Sequence, residues 1–103
     1  MIDNSRWSQF SFFEQMGHIG SEISRARIWQ ERKEAQACNR CIERAFDLVD
    51  LSMADKRWRG RLKELCRLRE FLADQYGVTR HYQVSLNDLE HYCMAFALLL
   101  RKN

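Results

Sequence analysis

The sequence predicts an all-α protein, an up-and-down four-helix bundle, and three observations carry that prediction. The 103 residues contain no proline and only four glycines, so almost nothing interrupts a helix. Apolar residues recur at spacings of three and four, the period of a helix with one buried face. Runs that alternate apolar and polar residues, the mark of a strand, are almost missing. Short polar links then separate the helical stretches, as between antiparallel neighbours in a bundle.

The first helix is expected at about 11–30. It opens on "SFFE", where Ser11 can cap the backbone and Glu14 can reach back from the third helical position. Phe12, Met16, Ile19, Ile23 and Ala26 form its apolar stripe. The second, about 32–53, repeats the pattern with Cys38, Ile42, Ala45 and Val49, flanked by Cys41 and Leu48; the polar "QERKE" at 30–34 separates it from the first without proline or glycine. The third, about 55–76, begins at a capping Asp55 and is expected to bury Trp58, Leu62, Leu65, Cys66, Leu72 and Tyr76. Gly77 then supplies the left-handed residue that ends helices. "VTRHYQV" crosses to the fourth, about 85–101, where Ser85 and Asp88 form a second capping box ahead of Leu89, Cys93, Phe96 and Leu100.

Composition bounds the class. Hydrophobic residues make up 46% and charged residues 30% of the chain, which suits one compact domain over 1–103. The longest apolar run, "MAFALLL" at 94–100, is far short of the ~20 residues that span a bilayer. The first ten residues lack a basic leader and an apolar core, so the expectation is a cytoplasmic protein without membrane contact, whose four cysteines remain thiols.

The strongest asymmetry is "DKRWRGRLKELCRLRE" at 55–70. It holds seven of the chain's seventeen Lys and Arg but only three of its fourteen acids, a local charge of +4 against −1 for the rest. On a continuous α-helix Lys56, Arg59, Lys63 and Arg67 share one side, opposite Leu62 and Leu65. Such a ridge suits a phosphate backbone, an acidic protein partner, or simply water. No sequence-reading motif accompanies it, so any RNA or DNA would be recognised by shape and charge. Arg69 falls inside the apolar stripe, where a guanidinium must be paired; Glu22 and Glu34 are the candidates, and a buried Arg69–Glu22 pair fixing helix register is the expectation. The first helix also has a small-residue face, Gly17, Gly20, Ser21 and Ser24, bracketed by Phe13 and Ile28. Two readings of it stand open, close packing inside one chain and a contact between subunits of a homo-oligomer.

Chemistry is sparse. "CNRC" at 38–41 has the spacing of half a zinc or redox site, but no second CxxC follows; Cys38, Cys41, Cys66 and Cys93 on apolar stripes read as small core hydrophobes. Asp88 and His91 come nearest to a carboxylate–histidine metal motif, yet Asp88 is better explained as a cap; His18 lies off its helix's stripe and His81 in a link. No catalytic residue, metal or cofactor is expected.

The segments "SFFEQMGHIGSEISRARIW" and "RGRLKELCRLREFL" resemble a group of small bacterial all-helical proteins without assigned activity, over the first three helices. In shape the expected bundle is similar to the four-helix proteins of 23S rRNA intervening sequences and to the basic accessory proteins of diversity-generating retroelements. That likeness implies ring-like oligomers and, for the accessory proteins, contact with nucleic acid and a reverse transcriptase. The sequence thus leads to a non-enzymatic, self-associating interaction or scaffold protein; the alternative is a sequence-independent RNA- or DNA-binding accessory protein using Lys56, Arg59, Lys63 and Arg67.

Overall fold

The computed structural model describes residues 4–75 and 85–102. Tyr76, Gly77, the 78–84 crossing with His81, and the side chain of Leu100 lie outside the described residues. The chain is all-α: α1 (Asn4–Trp7), α2 (Phe12–Glu31), α3 (Ala35–Met53), a 3-10 helix (Lys56–Arg61), α4 (Leu62–Asp74) and α5 (Leu86–Lys102). None of the described helices is long and apolar enough to cross a membrane.

The helix starts follow local chemistry. At α2 the Glu14 N–H donates to Ser11 Oγ (3.2 Å) and the Ser11 N–H donates to Glu14 Oε1 (2.9 Å), so two orphan donors are satisfied reciprocally. Ser85 and Asp88 repeat the arrangement before α5, at 3.0 and 3.1 Å. The α2–α3 break is made by Lys33, which sits at φ 61° in the left-handed region that glycine usually fills. That explains why no glycine marks the boundary.

α2 packs against both α3 and α5, and α4 packs against α3. Contacts fix the directions. Glu22 meets Arg44 and Gln15 meets Ser52, so α3 returns along α2. Arg27 meets Glu90 while Phe12 and Phe13 meet Phe96, so α5 also runs against α2. Phe12, Met16, Ile19, Ile23 and Ala26 are buried as expected, together with Cys38, Cys41, Ile42, Ala45, Leu48 and Val49. α4 and α5 barely touch each other, which leaves a cleft between them at the surface.

The third expected helix needs correction. Asp55 does cap it, accepting from the Arg57 N–H at 3.0 Å, but the next six residues form a 3-10 turn with Trp58 outside helical geometry (φ −103°, ψ 27°). The α-helix begins only at Leu62. A 3-10 segment advances three residues per turn, so the apolar stripe is rephased: Leu65, Leu68 and Leu72 are buried, while Leu62 is 37% exposed and Cys66 lies at the surface. Rephasing also carries Arg69 to the rim. Its side chain is 47% exposed and pairs with Asp50 at 2.8 Å, over the ring of Phe46. The expected buried pair with Glu22 is not formed; Glu22 instead takes Arg25 (2.7 Å) and Arg44 (3.0 Å).

One buried polar cluster joins four elements. Gln15 Nε2 donates to the Trp7 carbonyl (3.0 Å), and Gln15 Oε1 accepts from Ser52 Oγ (2.7 Å) and Trp58 Nε1 (3.0 Å). Ser52 Oγ in turn accepts from Trp7 Nε1 at 3.0 Å. Every partner is supplied, so the buried amide costs little and holds α1 and the 3-10 turn against α2 and α3.

Candidate interaction surface

The 3-10 turn divides the anticipated basic ridge in two. Lys56 and Arg59 stand on the 3-10 helix, Lys63 and Arg67 on the first two turns of α4, and all four are exposed. The single helical row expected from sequence is therefore not formed: Lys56 and Arg59 belong to one helix and Lys63 and Arg67 to the next. The other three cations of the segment are each engaged by a partner, though none is buried. Arg57 pairs with Asp55 (2.7 Å), donates to the Phe10 carbonyl and lies over Trp58. Arg61 pairs with Glu64 (3.4 Å) over Phe12, and Arg69 with Asp50 over Phe46. Each of these three has a carboxylate and an aromatic face. Among the described residues Lys56, Arg59, Lys63 and Arg67 form no ion pair, so their charge is directed at solvent.

Lys63 and Arg67 separate two shallow grooves. One, of about 310 Å³, is bounded by Leu62, Cys66 and Glu70; the other, of about 290 Å³, lies in the cleft towards α5 and includes Glu64 and Tyr92. Tyr92 is 40% exposed, with its ring edge-on to Phe96 at 5.3 Å. Partial burial raises its phenol pKa, Glu64 and Cys93 add to the rise, and Arg67 and Arg61 oppose it. The phenol is therefore a neutral aromatic face beside cations at neutral pH.

The small-residue face resolves residue by residue. Gly20 is buried against α5, where an added Cβ would stand 2.8 Å from Cys93 Cβ; its small size serves packing within one chain. Ser21 Oγ donates to the Gly17 carbonyl at 3.1 Å, Ser24 hydrogen-bonds Glu90 and helps keep that carboxyl acidic, and Gly17 is half-buried. Ser21 and Ile28 are the members of this side open to solvent.

Three of the four thiols, Cys38, Cys41 and Cys93, are buried, and Cys66 is exposed. Burial raises the Cys38 pKa, with Cys41 adding to it, and pushes Cys93 up to about 12; Cys41 accepts from Arg44 Nη2 at 3.1 Å. Cys38 also borders a third groove, of about 350 Å³, between the α2–α3 turn and Gln75. Among the described residues no three His, Cys, Asp or Glu side chains are grouped to hold a metal ion. Asp88 is engaged as a cap, and His18 lies against the rings of Trp7 and Phe10. Tyr92 was not singled out by sequence, because its exposure depends on the divergence of α4 from α5.

No family model, curated protein or solved structure matches the chain. What the fold defines is an all-α protein, with Lys56, Arg59, Lys63 and Arg67 exposed on its 3-10 helix and α4.

Proposed function

We propose that the protein is a non-enzymatic helical interaction module, an up-and-down four-helix bundle working in the cytoplasm through the cationic surface of Lys56, Arg59, Lys63 and Arg67. The observation that carries this reading is the sorting of seven neighbouring cations into three that are paired and four that are not. Unpaired exposed cations remain available to an anionic partner, whereas paired ones have already spent their charge locally. The antiparallel directions of α3 and α5 against α2 support the bundle. The cap role of Asp88 and the raised thiol pKa values of Cys38 and Cys93 support the non-enzymatic reading. A salt series with a labelled polyanion tests the surface. The expected result is binding that falls steeply with salt and is lost in Lys63→Glu/Arg67→Glu; binding that survives the double change refutes the assignment.

Self-association is a second reading, favoured by Met94 and Leu98. These lie one turn apart on α5 and are 43% and 54% exposed, and Ile28 on α2 is 40% exposed. Large side chains left in water in this way suit a second copy. Light scattering should give a mass above that of one chain for the wild type and a lower mass for Leu98→Glu; an unchanged mass refutes this contact.

A further inference from the structure

We propose that the cleft between α4 and α5 binds single-stranded nucleic acid, its phosphates held by Lys63 and Arg67 and one base stacked on Tyr92. The inference rests on the cationic surface argued above and adds to it the chemistry of the partner. Lys63 and Arg67 are four residues apart in one α-helix, so they stand about 5–6 Å apart along its surface and can follow a backbone laid along α4. Exposed cations alone fit any polyanion. The discriminating feature is the ring on the opposite wall: Tyr92 borders the same groove as Lys63 and Arg67, keeps part of its surface in water, and is steadied by its edge-on contact with Phe96. A positive groove that tracks a backbone, with an aromatic face set into it, is the pattern by which single strands are bound without regard to sequence.

The carboxylates nearby are accounted for. Glu64 lies in the groove but is paired with Arg61 at 3.4 Å, and Glu70 borders the neighbouring groove, not the one that holds Tyr92. A duplex could reach the exposed cations, but its bases are already stacked on each other and are not free to stack on the Tyr92 ring. An acidic peptide would likewise use the charges and leave the ring idle. Lys56 and Arg59, on the preceding 3-10 helix, add positive charge outside the groove.

Cys66 provides a native reporter. It is the exposed one of the four cysteines and borders the groove on the other side of Lys63 and Arg67. The experiment is fluorescence anisotropy at low salt with a labelled oligothymidylate, an abasic strand of the same length and a duplex, alongside alkylation of Cys66 by N-ethylmaleimide. The oligothymidylate should bind at least about fivefold more tightly than the abasic strand and should slow alkylation of Cys66. Tyr92→Ala should abolish that preference, and Tyr92→Phe should keep it. Equal binding of the two strands, with Tyr92→Ala indifferent, overturns the stacking inference and leaves the cationic surface standing. Tighter binding of duplex, or displacement of the strand by polyglutamate at lower concentration, also overturns it. Failure of the folded wild type to bind any of these anions removes both readings.

Discussion

Replacing Gly20 by alanine tests the closest approach in the fold. The new Cβ would lie 2.8 Å from Cys93 Cβ, whereas carbon atoms rest at about 3.5–4.0 Å, so α2 and α5 must separate by about 0.7 Å or more. Forcing an extra carbon into a packed contact costs about 1–3 kcal/mol. Alanine is better than glycine in a helix by about 1 kcal/mol. The balance is a net loss of about 0–2 kcal/mol, which the helix preference partly conceals. A double-mutant cycle with Cys93→Gly removes the concealment, because it takes away the carbon that clashes while leaving the propensity of residue 20 untouched. Cys93→Gly alone destabilises the protein by leaving a void and a glycine in α5, yet in its presence Gly20→Ala becomes favourable. The coupling between the two sites should therefore be about 1–3 kcal/mol. Urea unfolding followed by circular dichroism at 222 nm gives the four stabilities, with light scattering to keep subunit mass in view. If Gly20→Ala stabilises by its full ~1 kcal/mol and the two changes simply add, α2 and α5 do not meet there, and Gly20 returns to the candidates for a subunit face.

Three further expectations concern the core and the ion pairs. Ser52→Ala strips Trp7 Nε1 of its buried acceptor and removes one of the two donors to Gln15 Oε1, so urea unfolding should show a loss of about 1–3 kcal/mol; a change under 0.5 kcal/mol would mean the cluster is not closed as described. Arg69→Met breaks a half-exposed pair, so its effect on the same measurement should be at most about 1 kcal/mol, and a loss of 3 kcal/mol or more would restore the buried pair the sequence suggested. Hydrogen bonds from Arg27 and Arg57 hold the carboxyls of Glu90 and Asp55 below their ordinary values. Their stabilisation is present above the unfolded carboxylate range and disappears as pH falls through the lowered folded values, so from pH 7 downwards the stability curves of wild type and Glu90→Gln should converge below roughly pH 4. Parallel curves would show that Glu90 is not held in that pair.

What was legible in the sequence was whatever local spacing decides. Ser11 with Glu14 and Ser85 with Asp88 write their caps within four residues, and the stripes of α2 and α3 repeat often enough to fix their phase. α1 was missed because four residues carry no period; its one large side chain, Trp7, is placed by Ser52 and Gln15, distant in sequence. The third helix was misphased because six residues of 3-10 turn precede it, and counting at the α period through Trp58 and Gly60 placed Leu62 and Cys66 inside and Arg69 with them. The candidate surface shows the same division. An excess of cations at 55–70 is a matter of composition and was visible at once. Their sorting was not, since it depends on Asp50, Phe46 and Phe12 arriving from other helices, and Tyr92 joins the surface only because α4 and α5 part.

The Gln15 cluster has a consequence for how this surface can be tuned. Trp58, in the middle of the turn that bears Lys56 and Arg59, is tethered by its indole to an amide that carries no charge and lies out of reach of water. Counterions gathering at high ionic strength therefore screen the charge of these cations without moving the turn that carries Lys56 and Arg59. Volume or polarity changes at residue 15 would do the reverse, shifting where the cations stand while leaving their number and sign intact. Charge is thus tuned from outside, by ions, and the placing of Lys56 and Arg59 from within, by the same amide that ties α1 to the core.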